Sequence, residues 1–210
     1  MADAALTKRQ LVVRDTLNAA TVLARAFSQD PLWLHLLPDA RQRVLVLRQS
    51  FRATLPWYIQ QGQTYGVGQP LDGVAIWRPP LSSRASWTPF LNPSTLTLLF
   101  SPLLRVFGRA LPIFTQFERM HTQYVQEPHY YLSTIGVVPE RHGQGCASLL
   151  IKPVLALADK EGYPSYTETM TPSNVPLYEH YGFICQEEYR VPDTRLTIWS
   201  LYRPARTYSA

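Results

Sequence analysis

Apolar residues recur every three or four positions in the first sixty residues, which predicts two amphipathic helices. The first covers roughly Leu17 to Ser28 and follows a short predicted strand over Leu11 to Arg14. The second covers about Ala40 to Gln60, and the apolar residues between the two helices predict a loop. Two strands, Gln63 to Gly68 and Gly73 to Arg78, come next and are predicted to form a hairpin.

The pattern changes after this hairpin. From about residue 82 to 126, prolines interrupt apolar helical stretches, which indicates a helical insertion. Strands and helices then alternate, with strands predicted at 129–138, 163–170, 183–189 and 196–201 and helices at 145–160 and 173–180. A strand, a helix and a strand at this spacing favour a parallel pair inside a mixed sheet. We expect residues 1–210 to form a single α/β domain.

The composition is typical of a folded domain. Hydrophobic residues make up 46% of the 210 residues and charged residues 17%, which excludes a largely disordered chain. We expect no membrane-spanning helix, since no run of 18 apolar residues occurs, and the first ten residues do not resemble a secretory signal. Two cysteines at 146 and 185 give neither a disulfide framework nor metal-ligand spacing. We therefore expect a cytoplasmic protein without a metal site.

Basic residues exceed acidic ones by 20 − 15 = 5, and the isoelectric point is near 9.3. This surplus is compatible with a solvated basic surface, with a phosphate-bearing small ligand or with nucleic acid. The basic residues are scattered, and no nucleic-acid-binding motif is present. We expect neither nucleic acid nor a membrane as a partner.

Small residues are concentrated where the predicted strand before residue 139 leads into the next helix. Gly143, Gly145 and Ala147 allow a ligand to approach the backbone closely, and the helix N-terminus that follows attracts anions. The segment lacks the lysine of a P-loop and the third glycine of a dinucleotide-binding fingerprint. Taken alone, it is equally compatible with a tight turn that binds nothing.

A second cluster, Thr169 to Phe183, follows the next strand and contains Asn-Val-Pro-Leu-Tyr-Glu-His-Tyr-Gly-Phe. Together the two clusters resemble the GNAT-type N-acetyltransferase superfamily, which transfers an acyl group from acyl-CoA to an amine. Within it, the pattern is similar to the branch of puromycin N-acetyltransferase. The resemblance is dense over residues 129–204 and thin before them. It implies a mixed, mostly antiparallel central sheet flanked by helices, here with the insertion at about 82–126.

The resemblance also implies an acetyl-CoA site. The pantetheine arm would lie along the main chain of Ile135, Gly136 and Val137, and the pyrophosphate would lie at the glycine turn. The family's phosphate motif begins with Gln or Arg, whereas this chain has His at that position. The residues expected at the turn are His142, Gly143, Gln144, Gly145, Cys146, Ala147 and Ser148, with Asn174 either orienting the next helix or contacting CoA.

Two side chains are candidates for proton transfer. Tyr178 occupies the family's usual general-acid position, where a phenol can protonate the leaving thiolate; otherwise it packs beside Phe183. Glu168 is the best candidate for the general base and for an acceptor contact, although a carboxylate bonded only to backbone is equally compatible. His129 and His180 are weaker candidates for the base. Trp33 lies where related enzymes build the acceptor wall.

These expectations describe an N-acetyltransferase that acetylates a primary amine of a small molecule by direct attack within a ternary complex. No nucleophile with a positioned base is recognisable, which disfavours a covalent enzyme intermediate. A peptide or protein N-acetyltransferase and a non-catalytic acyl-CoA sensor are the alternatives. A homodimer is compatible with the sequence.

Overall fold

The computed structural model describes residues 6–61, 63–80 and 103–206. In these ranges seven strands form one sheet in the order β1-β2-β3-β4-β5-β7-β6. Only β4 and β5 are parallel; the other neighbours are antiparallel. This mixed, mostly antiparallel sheet confirms the predicted fold class. The strands are β1 Lys8–Gln10, β2 Thr64–Val67, β3 Gly73–Arg78, β4 Tyr130–Val137, β5 Ser165–Thr169, β6 Ile184–Arg190 and β7 Thr197–Arg203.

Six α-helices are present in the described ranges and cover both faces of the sheet. They are α1 Thr16–Ala26, α2 Pro31–Leu36, α3 Ala40–Gln60, α4 Leu103–Tyr124, α5 Cys146–Glu161 and α6 Asn174–His180. None of them is long and apolar enough to cross a membrane.

Strand β3 shows how the two faces are buried. Val74 and Ile76 pack against α1 and α3, whereas Ala75 and Trp77 pack against α5 on the opposite face. Consecutive side chains of a strand point to opposite faces, so an entirely apolar run fits a strand covered on both sides. All six residues of β3 are buried.

The first forty residues depart from the sequence prediction in two places. The first strand is Lys8–Gln10, because the Asp15 side chain accepts hydrogen bonds from Arg9 and from the Val12 amide and bends the chain where a strand was predicted. The apolar loop is the helix α2, whose first turn is capped by Asp30 and begins with Pro31.

The predicted insertion falls partly within the described residues. Its second half forms helix α4, which runs through Pro112 without interruption. Residues 81–102, which carry its first half, lie outside the described residues. The described helix packs through Ile113 and Met120 into a cluster that also contains Leu36 from α2 and Ile198 from β7.

A buried ion pair fixes the last strand to α5. The Arg203 guanidinium donates two hydrogen bonds of 2.7 Å to the Asp159 carboxylate, and the two side chains are 4% and 5% exposed. Arg203 also donates to the Tyr181 carbonyl. The bidentate geometry compensates both charges in a place with little water.

Candidate active site

Strands β4 and β5 separate after a short parallel pairing, and a cavity lies where they diverge. They pair only from Tyr130–Leu132 to Ser165–Thr167, although β4 continues to Val137 along β3. In the described part of the chain, the β5-facing edge of β4 beyond Leu132 has no strand partner. Apart from the Val137 carbonyl, which accepts from His142, its amide and carbonyl groups are therefore available to an extended ligand that contains amides. The cavity measures about 300 Å³.

The glycine turn beyond β4 has the geometry of an anion site. Gly143 and Gly145 adopt positive φ angles of 75° and 83°, and Gly145 is the N-cap of α5. Residues 142–145 are exposed. A left-handed conformation is inexpensive only for glycine, and it turns the chain so that the first amides of α5 face solvent. Such amides, together with the helix dipole, bind phosphate groups.

The side chains around this turn are held by the protein itself. Gln144 donates to the Glu140 carbonyl, and Arg141 donates to Gln144 while pairing with Asp72 at 3.3 Å. His142 Nε2 donates to the Val137 carbonyl at 3.0 Å, so the imidazole folds back over the end of β4. Main-chain amides are therefore the main donors that this turn offers to a ligand.

The side chains of the expected cofactor residues in the first turn of α5 are buried or half-buried. Cys146 is 1% exposed and lies in the core, and burial raises the pKa of its thiol. Ala147 and Ser148 are half-buried in the first turn of the helix. The amides of these three residues lie at the positive end of the α5 dipole.

Gly136 has a packing role on β4. A Cβ atom there would lie 2.8 Å from the Ala26 Cβ atom and 3.0 Å from Leu23, so a side chain would push α1 away from the strand. Its neighbour Ile135 lines the cavity, and Val137 packs against the core. The absence of a side chain at Gly136 thus lets α1 pack closely against β4.

Glu168 lies near the end of β5 and faces the cavity. Burial is the main cause that raises the pKa of this carboxyl to about 8, and the nearby charge of Glu118 adds to it. Hydrogen bonds from Tyr131 and Tyr166 act in the opposite direction. One carboxylate oxygen, Oε1, is buried without a hydrogen-bond partner among the described residues. A carboxyl in this state can accept a proton near neutral pH.

Tyr178 projects from α6 into the same cavity. Its ring packs edge-on against Phe183 at 5.8 Å, and its hydroxyl forms a hydrogen bond with Thr167. Burial raises the pKa of Tyr178 to about 12, so the phenol stays protonated at working pH. Packing beside Phe183 and facing the cavity are therefore both features of this residue.

Asn174 connects the end of β5 to α6. Its Nδ2 atom donates to Thr169 Oγ1 at 3.2 Å, while Ser173 is the N-cap of the helix. Asn174 also lines the cavity. The side chain thus orients the short helix that carries Tyr178.

The sequence prediction missed much of the cavity lining. Trp33 lines the cavity from α2, and Asp30 and the buried Arg78 also line it. The Asp-Pro pair that starts α2 was a readable helix-start signal, whereas the position of Asp30 in a cavity depends on distant elements. The aromatic part of the lining comes from the residue after α1 and from α3 and α4, and it consists of Phe27, Phe51, Tyr58, Phe114 and Phe117.

The two histidines considered as bases lie away from the cavity lining. His129 Nε2 is 2.7 Å from His121 Nε2 in a buried pair, and His180 is exposed at the end of α6. Within the described ranges, no group of three or more His, Cys, Asp or Glu side chains is arranged to hold a metal ion.

Known proteins similar to this chain share its architecture. A family model described as the acetyltransferase (GNAT) family matches residues 113–183. A Schizosaccharomyces pombe protein named as an uncharacterized N-acetyltransferase is 26% identical over 188 residues, which cover 87% of this chain and 76% of that protein.

Two solved structures show the same fold at low identity. A protein from Corynebacterium glutamicum described as histone acetyltransferase HPA2 and related acetyltransferase has a TM-score of 0.67 at 19% identity, covering 98% of this chain and 99% of its own. Arylalkylamine N-acetyltransferase 2 from Aedes aegypti has a TM-score of 0.64 at 12% identity, covering 96% and 100%. The chain thus has the GNAT fold.

Proposed function

We propose that the protein transfers the acetyl group of acetyl-CoA to a primary amine of a small molecule by direct attack in a ternary complex. The observation that carries this proposal is that Glu168 and Tyr178 line one cavity at the divergence of β4 and β5. This arrangement supports Glu168 as the proton acceptor and Tyr178 as the proton donor beside the free strand edge. The closer likeness to the puromycin N-acetyltransferase branch is part of this proposal and does not specify puromycin as the acceptor.

Acetyl-CoA fits the path from the glycine turn to the cavity. The amides at residues 143–148 would bind the pyrophosphate, and the free edge of Ile135, Gly136 and Val137 would pair with the pantetheine amides. This path ends at the cavity lined by Ile135, where the thioester would meet the acceptor. An N–H of the strand edge would polarise the thioester carbonyl.

Glu168 is proposed as the general base. The acceptor arrives as an ammonium ion and must lose one proton before its nitrogen lone pair can attack the thioester carbon. The Oε1 atom has no hydrogen-bond partner among the described residues, and the raised pKa makes the carboxylate a stronger base than an exposed one. The proton passes from the nitrogen to Glu168, directly or through water.

Tyr178 is proposed as the general acid. As the carbon–sulfur bond breaks, the leaving sulfur takes the proton of the Tyr178 hydroxyl, and that proton is later restored from solvent. The phenol is positioned by Phe183 and Thr167 and is protonated before the reaction. The raised pKa of Tyr178 describes the phenol in the free protein.

The cavity walls favour a small acceptor over a peptide. Helices α2, α3 and α4 contribute Trp33, Phe51 and Phe114 to an aromatic surface that faces Glu168. Small-molecule sites are typically concave and apolar with few polar groups, as here. The name of the Aedes aegypti structure also specifies an aryl-substituted amine as that enzyme's acceptor.

A reaction with acetyl-CoA and a mixture of primary amines, analysed by mass spectrometry, tests the proposal. We expect acetylated products from small amines and none from a peptide library with free N-termini. Tight CoA binding without any product would instead support a sensor. Products from the peptides alone would support a peptide N-acetyltransferase.

A further inference from the structure

Asp30 is a carboxylate in the acceptor cavity that the proposed reaction does not use. It precedes α2 and lines the cavity. Its Oδ1 atom accepts from the Leu32 amide at 3.0 Å, and the carboxylate also interacts with the Trp33 amide and with the Thr171 hydroxyl just after β5. An ionised carboxylate has about four acceptor positions, so these three interactions leave one for a ligand.

The charge of Asp30 has no cationic partner among the described residues. It forms none of the ion pairs seen in residues 6–61, 63–80 and 103–206, and burial raises the pKa of its carboxyl to about 6. At neutral pH the group is nevertheless mostly ionised. A cation from the ligand would supply the missing compensation.

The cavity favours a positively charged ligand when Glu168 is ionised. Asp30 and ionised Glu168 face it, and Glu118 is close enough to raise the pKa of Glu168. Arg78 is the one guanidinium in the described lining, and it lies over the Tyr131 ring at 5.6 Å. When Glu168 is ionised, two carboxylates and one guanidinium thus line the cavity, and Glu118 adds a further negative charge nearby.

Trp33 lies three residues after Asp30 and lines the same cavity. Its backbone amide interacts with the Asp30 carboxylate. An indole ring in the lining suits a cationic ligand, because aromatic rings stabilise cations. The neighbouring wall of Phe27, Phe51 and Phe114 suits an apolar body between two charged ends.

Resting on the proposed function, we infer that the acceptor is a diamine, or an amine with a second cationic group. One amine reacts at Glu168, the apolar body lies against the aromatic wall, and Asp30 binds the second cation. Asp30 thus determines specificity and takes no part in the chemical step.

Two probes of equal shape test the inference. The diamine p-xylylenediamine and the monoamine 4-ethylbenzylamine differ in one terminal amine that is replaced by a methyl group. We expect kcat/KM for the diamine to exceed that for the monoamine by about tenfold or more, mainly through KM. Equal values for the two amines in the wild-type protein would overturn the inference and leave the acetyltransferase activity standing.

Asp30→Asn separates charge from helix capping, because asparagine caps helices as well as aspartate does. We expect this variant to lose the diamine preference and to keep its turnover of the monoamine. Asp39 is the matched control, since it caps α3 through the Gln42 amide at 2.7 Å and is exposed outside the cavity lining. Asp39→Asn should keep the preference. An unchanged preference in Asp30→Asn contradicts the inference.

Calorimetry of p-xylylenediamine binding in the presence of CoA gives a readout that needs no turnover. We expect weaker binding in Asp30→Asn than in the wild type and in Asp39→Asn. If the wild type binds the diamine in this way but transfers no acetyl group, the proposed function fails while the inference about the cation site holds. Equal diamine affinity in all three proteins would overturn the cation site.

Discussion

The Nε2 atoms of His121 and His129 lie 2.7 Å apart and join α4 to the residue before β4 in a buried contact. His129 Nδ1 also lies 2.7 Å from the Glu127 carbonyl, which can only accept, so Nδ1 carries the proton. His129 Nε2 therefore accepts, and His121 Nε2 donates to it. The His121 ring is stacked on Tyr166, whose hydroxyl interacts with Glu168. This pair thus connects the wall formed by α4 to the surroundings of the proposed base.

Acid should destabilise the protein through this pair. Burial, aided by His129 and Arg78, lowers the pKa of His121 from 6.5 to about 3. Below pH 6.5 His121 therefore binds a proton in the unfolded chain but not in the folded protein. The stability of the folded protein falls from pH 6.5 towards pH 3 as a result. At pH 4 we expect His121→Gln to recover roughly 1–3 kcal/mol of this acid-dependent loss. Unfolding in denaturant at pH 7 and pH 4 measures it.

The exposed His180 provides the control for that comparison. His180→Gln should leave the difference between pH 7 and pH 4 as it is in the wild type. The same acid sensitivity in His121→Gln as in the wild type would show that the buried pair is not its source.

Removal of the Tyr178 hydroxyl should slow the chemical step. We expect Tyr178→Phe to lower kcat by roughly 10²–10³-fold with little change in the KM for acetyl-CoA, because the leaving sulfur loses its proton donor. Steady-state kinetics measure both values. Tyr181→Phe, a buried tyrosine outside the cavity lining, should keep full activity. Unchanged kcat in Tyr178→Phe excludes the proton-donor role.

The pH profile should report the ionisation of Glu168. With the pKa of this carboxyl at about 8, kcat/KM should rise about tenfold per pH unit below pH 8 and level off above it. Acceptors with different amine pKa values separate the two titrations, since the inflection from Glu168 should not move with the amine. Glu179→Gln, at an exposed position on α6, should retain the profile. An inflection that follows the amine would assign it to the substrate.

Glu168→Gln should lose activity and gain stability in alkaline solution. Folding raises the pKa of Glu168 from 4.5 to about 8. The buried protonated carboxyl therefore contributes fully to the stability of the wild type below pH 4.5, and this contribution is lost as the pH rises through 8. The side chain of the Glu168→Gln variant is uncharged, so no charge is buried at this position. We expect the variant to be more stable than the wild type by about 1–3 kcal/mol at pH 9 and by little at pH 4. Equal stability at both pH values would contradict the burial of this charge.

The glycine turn can be tested against a matched turn on the same helix. Gly145 and Gly162 flank α5, both have positive φ, and neither has an atom within 4 Å of a built Cβ. Glutamate at either position brings similar backbone strain of about 1–2 kcal/mol. We expect only Gly145→Glu to weaken CoA binding, by about 100-fold or more, through its charge beside the phosphates. Calorimetry with CoA should show near wild-type affinity for Gly162→Glu.

The elements whose ends are encoded locally were predicted well. Helix α3 begins and ends where the apolar spacing placed it, and it continues through Pro56. Helix α5 ends at Gly162, which has a left-handed conformation, close to the predicted end at residue 160. The first strand was misplaced because Asp15 pairs with Arg9, an interaction that apolar spacing does not reveal.

The candidate site could be predicted from the sequence where it lies in two continuous segments. The resemblance proposed the glycine turn, Glu168 and Tyr178 as site residues, and the last two line one cavity. The other wall comes from residues that are distant in sequence, such as Asp30 and Phe114. Their meeting depends on the packing of α2 and α4, and no local pattern encodes that packing.

The ion pair between Arg203 and Asp159 also limits where the chain can be truncated or fused to another protein. A truncation that removes Arg203 would leave the Asp159 carboxylate, which is 5% exposed, without its cationic partner. The resulting loss of several kcal/mol is comparable with the whole stability of an ordinary domain. Affinity tags and fusion partners should therefore be joined after residue 206, whose amide also donates to Asp159.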